Sequence, residues 1–306
     1  MGSQILQQMI NGLALGCVYG LITLGYSMVY GVLEMLNFAH GDVFMIGGFI
    51  GYGILKIFMS GNALTAPPAL VLTLMMVGAM IGCGVLGVGI EFLAYRPIRN
   101  APRLAPLISA LAMSIFLENF VALTLGARAK NYSTELLIPI NWQWTFLGVQ
   151  VSFVRILLIV LSIGFMIALD IFVRRTRFGK AMRATNNDRI GASYQGISIN
   201  FIISLTFLIG SMLAGAAGVL VGLYYTQIDF FMGFTAGFKA FTAAVLGGIG
   251  NLRGAMVGGI VLGMAESIGI AFISPTYKDV IALVLLILLL LVKPSGLLGE
   301  QLPQKV

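Results

Sequence analysis

The chain has 306 residues, of which 59% are hydrophobic and 9% are charged, and its formal net charge is +7. A chain this apolar has too few polar side chains to cover a globule in water, which excludes a soluble domain of ordinary composition. The basic residues stand at the ends of apolar runs, where they anchor and orient membrane helices, so the positive charge does not indicate nucleic-acid binding. We therefore predict an all-α polytopic membrane protein that forms one membrane domain, residues 1–306.

The apolar runs are long enough to cross a bilayer as helices. A helical span needs about 20 apolar residues for a hydrocarbon core of about 30 Å. The clear candidates are Leu6–Val29, Ala69–Ala94, Leu104–Gly126, Phe153–Val173, Phe201–Tyr225, Ala255–Ile273 and Val280–Val292. Phe44–Phe58 and Phe238–Gly250 are shorter and less regular. We expect about eight or nine transmembrane helices, with one or two broken or re-entrant segments.

Three polar residues, Asn37, His40 and Asp42, interrupt the first apolar region. Two helical crossings need roughly 40 residues, and the region 5–58 is longer than that, which leaves room for a broken segment. A broken helix exposes backbone groups that can bind a zwitterion or gate a path. The alternative is an ordinary helix start, with Asn37 as the N-cap and Asp42 in the first turn. The residues alone favour neither.

Further ionisable residues fall inside predicted spans. Glu118, followed by Asn119, lies two-thirds of the way along its span, Glu266 is in mid-span, and Lys239 opens a short predicted helix. Charge at membrane depth is costly and therefore marks functional candidates. The ordinary structural explanation is a buried carboxylate paired with a cation.

Six cations are concentrated in one loop, Arg174, Arg175, Arg177, Lys180, Arg183 and Arg189. Such a loop is typical of the cytoplasmic side. Residues 177–184 predict a short helix, and Asp188 can cap a second one that ends at Gly196. Phe178, Met182, Ile190 and Tyr194 would add apolar contacts, which favours a docking surface. The alternative is a generic basic loop.

The glycines recur at a helical spacing. Gly12, Gly16 and Gly20 are four residues apart, and a second group contains Gly250, Gly254, Gly258, Gly259 and Gly263. Small residues at this spacing let membrane helices approach closely. We expect packing within the chain, with a subunit interface as the alternative.

The motifs of soluble enzymes are not found. His40 is the single histidine, and neither a nucleophile elbow nor a phosphate-binding loop is present in the sequence. We therefore predict no catalytic residue and no metal site, and any ATP hydrolysis would belong to another subunit.

Four segments together resemble the LivH-type permease, the membrane subunit of the bacterial high-affinity branched-chain amino acid ABC importer. They are Asn37–Asp42 (NFAHGD), Ala94–Arg99 (AYRPIR), Arg177–Ala184 (RFGKAMRA) and Phe238–Gly250 (FKAFTAAVLGGIG). The resemblance covers essentially the whole chain and extends to Pro294–Gly299 (PSGLLG).

The resemblance implies several partners: a second permease of LivM type, two ABC ATPase subunits, a periplasmic branched-chain amino acid binding protein and the lipid bilayer of the bacterial inner membrane. No cofactor would be held by this chain, and ATP and Mg would be bound by the partners.

The resemblance also assigns roles to residues. It makes residues 174–200 a cytoplasmic coupling loop, in which Arg177, Phe178, Gly179, Arg183, Ala184, Ala192 and Gly196 would contact or position an ATPase subunit. The residues expected to line or shape the translocation path are Asn37, His40, Asp42, Glu118, Lys239 and Glu266.

Three other functions remain open. The nearest is a permease of the same fold for urea, short amides or another amino acid. A less favoured one is an ion-coupled secondary transporter that uses Asp42, Glu118 and Glu266 as carriers. A membrane-embedded enzyme is a distant third.

Overall fold

The structure is a computed structural model that describes residues 2–60, 63–99, 101–102, 104–138, 143–146 and 149–299. The α-helices are α1 (Gly2–Leu33), α2 (His40–Ile57), α3 (Pro68–Ile90), α4 (Leu104–Leu125), α5 (Thr134–Leu137), α6 (Phe153–Arg175), α7 (Arg177–Asn187), α8 (Arg189–Tyr194), α9 (Ile199–Tyr225), α10 (Met232–Gly247), α11 (Leu252–Phe272) and α12 (Lys278–Val292). A π-helical turn, Glu91–Tyr95, and a 3₁₀ turn, Arg96–Ile98, extend α3.

Short strands join the helices in antiparallel pairs. They are β1 (Met59–Ser60), β2 (Ala63–Leu64), β3 (Lys130–Asn131), β4 (Gln143–Phe146), β5 (Val149–Ser152) and β6 (Gln227–Ile228). β1 pairs with β2, β4 with β5, and β3 with the distant β6. The β3–β6 pair ties the segment after α4 to the segment after α9, so these two helices end on the same side of the molecule.

Within the described ranges, seven helices are long and apolar enough to cross a membrane: α1, α3 with its extension, α4, α6, α9, α11 and α12. This confirms the predicted all-α polytopic fold and its seven clear spans. α2 and α10 are not among these seven, and both carry polar or charged residues, as the two irregular segments of the sequence predict.

The first helix, α1, forms the centre of the bundle and is almost entirely buried. It packs most extensively against α11 and then against α9, α6 and α10. An ideal Cβ built on Gly12 would lie 2.8 Å from Met264 Cα, and one on Gly16 would lie 2.8 Å from Ile260 Cα. Only glycine allows backbones to approach this closely, so the glycine spacing serves packing within the chain, as expected.

The helices at the periphery are α4 and α12. Both expose most of their residues, whereas α9 is largely buried between α3, α2 and α1. Exposed apolar side chains on a membrane helix face lipid without cost, so burial is not needed for these helices to be stable.

The end of the bundle that carries α7 and α8 is called the basic face below. α1, α6 and α10 end there, and α9 and α11 begin there. Its last segment, residues 293–299, folds against α10, where Leu297 N–H donates to Leu246 O and Leu298 N–H donates to Gly247 O, both at 2.9 Å. These bonds satisfy carbonyl groups that a helix end leaves without partners.

Candidate functional site

Between α1 and α2 the chain turns back into the bundle. α1 ends at Leu33, and the next residue, Glu34, adopts a left-handed conformation with φ 56°. α2 begins at His40, whose ring packs against Gly25. Gly25 lies eight residues, roughly 12 Å, before the end of α1. Residues 34–39, called the return segment below, therefore run from the basic face back into the bundle. They have no helical structure, and α2 begins after them.

Asn37 holds the return segment in place. Its side-chain oxygen accepts a 2.8 Å hydrogen bond from the Tyr95 hydroxyl, and both residues are buried. The residue at the N-cap position of α2 is Ala39, which makes no side-chain capping bond. Asn37 as N-cap was therefore a wrong interpretation, because its oxygen is used by a residue from the extension of α3. Asp42 does lie in the first turn of α2, as expected.

The start of α2 gathers the polar residues predicted there. His40 meets Tyr26 edge to face at 5.0 Å between ring centroids, and the Ser114 hydroxyl of α4 donates a hydrogen bond to the Asp42 carboxylate. His40 and Asp42 are each 1% exposed. Glu118 follows Ser114 by one helical turn and is half-buried. The structure thus brings Asn37, His40 and Asp42 into one buried segment and leaves Glu118 at its edge.

A second buried cluster joins α1, α10, α11 and α12. The Lys239 ammonium pairs with Glu266, which also accepts a 2.9 Å hydrogen bond from the Tyr19 hydroxyl. Lys239 further pairs with Asp279 of α12 at 2.9 Å. The expected pairing of this cation with a carboxylate is confirmed. Its expected place at the start of a helix was wrong, because α10 already begins at Met232.

The two buried clusters are neighbours. An ideal Cβ on Gly237 would lie 3.0 Å from Gly41 Cα and 3.0 Å from the Tyr26 hydroxyl oxygen. Lys239 follows Gly237 by two residues, and Gly41 lies between His40 and Asp42. A rigid shift of α10 would therefore change the contacts of both clusters.

The loop on the basic face forms two helices, α7 and α8. The Thr176 hydroxyl accepts from Gly179 N–H at 3.0 Å, and Asp188 Oδ1 accepts from Ile190 N–H at 2.9 Å, so each helix has an N-cap. Gly196 follows α8 with φ 80°. The prediction of two short helices ended by Gly196 is confirmed, and residues 176–196 are called the coupling element below.

The coupling element presents apolar side chains to solvent. Phe178, Ile190 and Tyr194 are 48%, 67% and 86% exposed, next to the exposed cations Arg177 and Lys180. Met182 is 4% exposed and packs inward, so its expected place on the docking surface was wrong. A strongly amphipathic α7 explains this, since Met182 lies on its bundle-facing side.

Of the other predicted coupling residues, Gly179 is buried against the Val173 carbonyl, where a side chain would clash. Ala192 is also buried, and Ala184 is half-buried. These three small residues set how closely the coupling element lies against the bundle.

Two arginines join the coupling element to membrane helices. Arg183 donates to Val173 O near the end of α6, and Arg189 donates to Val32 O in the last turn of α1 at 2.7 Å. Guanidinium groups suit these positions because helix C-termini carry partial negative charge.

A cavity of about 1210 Å³ opens on the basic face. It is lined by the return segment, by Arg183 and Arg189 of the coupling element, and by the turn before α11. Arg99 also lines it and pairs with the buried carboxylate of Glu91 at 2.7 Å. Burial lowers the pKa of the Arg99 guanidinium, against the opposing effect of Glu91.

Tyr95 and Ser114 were not predicted as partners of the return segment and of α2. Tyr95 stands in Ala94–Arg99, one of the four segments of the family resemblance, which marked it without indicating its partner. Ser114 has no local pattern that separates it from ordinary polar residues of membrane helices.

The structure is thus a bundle of membrane helices with an interrupted, polar α1–α2 connection and a two-helix element on its basic face. The family model described as "Branched-chain amino acid transport system / permease component" matches residues 8–290. The chain belongs to this family.

Permeases for branched-chain amino acids match the chain over most of their length. The high-affinity branched-chain amino acid transport system permease protein LivH of Salmonella typhimurium is 45% identical over 98% of this chain and 97% of its own. BraD of Pseudomonas aeruginosa, with the same function in its name, is 46% identical over 98% of both chains. A probable LivH of Methanocaldococcus jannaschii is 26% identical over 91% of this chain and 88% of its own. No solved structure matches the chain.

Proposed function

We propose that this chain is one of two permease subunits of an ATP-driven importer that moves leucine, isoleucine and valine across the bacterial inner membrane. The chain provides the path and performs no catalysis, while partner ATPase subunits bind ATP and Mg and a periplasmic binding protein delivers the amino acid. The family membership supports the substrate class.

The observation that carries this proposal is the coupling element. It combines exposed apolar side chains with cations on its outer side and hydrogen bonds to the ends of α1 and α6 on its inner side. An element built in this way can receive a push from a partner and pass it to two membrane helices. A path driven from the basic face needs such an element.

Transport would proceed by alternating access. The cavity on the basic face is lined in part by the return segment, which supports an inward-open arrangement of the chain. Closing of the ATPase pair on ATP would move the coupling element, tilt α1 and α6, and shift the return segment beside His40 and Asp42. The path itself would be shaped by Asn37, His40, Asp42, Glu118, Lys239 and Glu266.

Labelled leucine uptake in cells with and without this subunit tests the proposal, with the proton gradient collapsed and ATP maintained. We expect uptake that depends on the subunit and survives loss of the gradient. Uptake that disappears with the gradient would overturn ATP coupling and favour an ion-coupled transporter. Absence of leucine uptake, with the protein present in the membrane, would overturn the substrate and favour urea or a short amide.

A further inference from the structure

The peripheral helix α4 carries polar groups on a side that the described residues of the chain do not cover. Asn119 is exposed, and among the described residues its amide bonds Ile115 O alone, at 2.8 Å. Glu118 is half-buried, and its carboxylate makes no hydrogen bond or ion pair with any residue in the described part of the chain. Ile115 and Phe116 on the same helix are exposed as well.

These polar groups lie deep within the span. Glu118 is 14 residues after the first residue of α4 and 7 before its last. At 1.5 Å per residue these separations are roughly 21 Å and 10 Å. A core of about 30 Å therefore includes the carboxylate. Ionisable side chains at such depth normally face a partner or a water-filled cavity, because lipid offers them no hydrogen bond.

Asp42 bonds the Ser114 hydroxyl, and three other carboxylates near the bundle are paired with cations. Glu266 is paired with Lys239, Glu91 with Arg96 and Arg99, and Asp170 with Arg174. The exposed side of α12 differs from that of α4, since between Val280 and Val292 it presents apolar residues alone. The α12 surface suits lipid, whereas the α4 surface does not.

The α4 surface is also connected to the buried centre. Ser114, one turn before Glu118, bonds Asp42 at the start of α2. A polar row therefore runs from the return segment through Asp42 and Ser114 to the exposed edge of α4. A partner seated at this edge would lie directly beside the interrupted connection.

We propose that the α4 surface formed by Ile115, Glu118 and Asn119 is covered by a membrane helix of the second permease subunit, and that this helix offers a cationic or hydrogen-bond-donating side chain to Glu118. The proposal rests on the proposed function, which supplies a second permease. A second copy of this chain fits poorly, since a two-fold contact centred on this surface would bring two Glu118 carboxylates together in a medium of low dielectric.

A photo-crosslinking side chain tests the occupant of each surface. It is placed at Asn119 in α4 and, as the matched control, at Val284 in α12, and each variant is purified as the assembled transporter in lipid bilayers. We expect the Asn119 probe to join the chain to a peptide of the second permease, identified by mass spectrometry, and the Val284 probe to react with lipid. A probe at Ile115 repeats the α4 test if the Asn119 variant does not assemble.

Two results would overturn the proposal: reaction of both α4 probes with lipid alone, or crosslinking of α4 to a second copy of this chain. Leucine uptake is measured on the same preparations. ATP-dependent uptake together with lipid-only crosslinks would reject the α4 interface and leave the proposed function standing.

Substitution of Glu118 gives a second test, in which the amount of the second permease in the purified complex is measured. Glu118→Leu removes the acceptor, whereas Glu118→Gln keeps an oxygen that can accept a hydrogen bond. We expect at least a several-fold loss of the second permease from the purified complex with Glu118→Leu and retention with Glu118→Gln. Equal recovery of the partner with both variants would overturn the pairing at Glu118.

Discussion

The guanidinium of Arg189 donates a 2.7 Å hydrogen bond to the backbone oxygen of Val32, which lies two residues before the return segment begins. The bond spans 157 positions of sequence. It ties α8, at the protein surface, to the point where α1 gives way to the segment that carries Asn37. Movement of the coupling element therefore has a direct connection to the polar centre of the bundle.

Replacing Arg189 with alanine should weaken this connection. A hydrogen bond from a charged donor is worth about 1 to 2 kcal/mol at a partly exposed site. We expect the amount of leucine moved per ATP hydrolysed to fall several-fold, while ATP hydrolysis continues. Transport and hydrolysis measured together in proteoliposomes give this ratio.

Lys180→Ala is the matched control, because Lys180 is an exposed cation of the same element and its side chain makes no bond within the described residues. An equal loss of the ratio in both variants would show that net charge matters and the Val32 contact does not.

Gly196 should also be needed for coupling. Its φ of 80° is a conformation that costs other residues roughly 1 to 2 kcal/mol, although the surrounding space is open. We expect Gly196→Leu to shift α8 and to uncouple ATP hydrolysis from uptake, and Gly196→Asn, which tolerates this conformation better, to retain most of the coupling. Unchanged uptake by the leucine variant would contradict the prediction.

The ion pair of Lys239 and Glu266 should be needed for stability. Lys239→Ala leaves the Glu266 carboxylate buried beside Tyr19 without a cation, at a cost of roughly 3 to 5 kcal/mol. We expect a clear drop in the thermal unfolding temperature of the purified protein. The double variant Lys239→Met with Glu266→Gln removes both charges and should recover most of the loss. A double variant as unstable as the single one would argue against an uncompensated charge as the cause.

Close packing of α1 on α11 gives a prediction about glycine. Gly16→Val would force its side chain into the backbone of Ile260, and overpacking of this kind costs roughly 1 to 3 kcal/mol or more. We expect a lower thermal unfolding temperature and a lower yield in the membrane. Gly164→Val in α6 is the control, since a Cβ there meets nothing within 4 Å. Similar destabilisation by both substitutions would mean that helix propensity, and not contact, is responsible.

The sequence predicted the elements whose physics is local. Apolar length identifies the spans, and Asp188 and Gly196 mark the two ends of α8 through capping and left-handed geometry. The start of α10 was predicted at Phe238, six residues too late, which left Gly233 and Gly237 outside the predicted helix. Their role lies in contacts with α2, where Gly237 approaches Gly41, and no local pattern reports such a contact.

The residue types in the sequence predicted which side chains belong to the candidate site. They did not predict which residues those side chains contact. A charge inside an apolar run attracts notice in any sequence, which is why Lys239, Glu266 and Asp42 could be chosen. Their partners depend on how helices pack: Asp42 meets Ser114, and Asn37 meets Tyr95. The same packing leaves Glu118 at the edge of the bundle, a position that its mid-span location does not reveal.

The backbone bonds between residues 297–298 and the end of α10 have a consequence for biogenesis. Leu246 O and Gly247 O find these donors in a segment made some 50 residues later. During synthesis these two carbonyl groups therefore bond water or lipid headgroups until residues 297 and 298 have left the ribosome. The end of α10 on the basic face is completed only after the helices that form the centre of the bundle have been made.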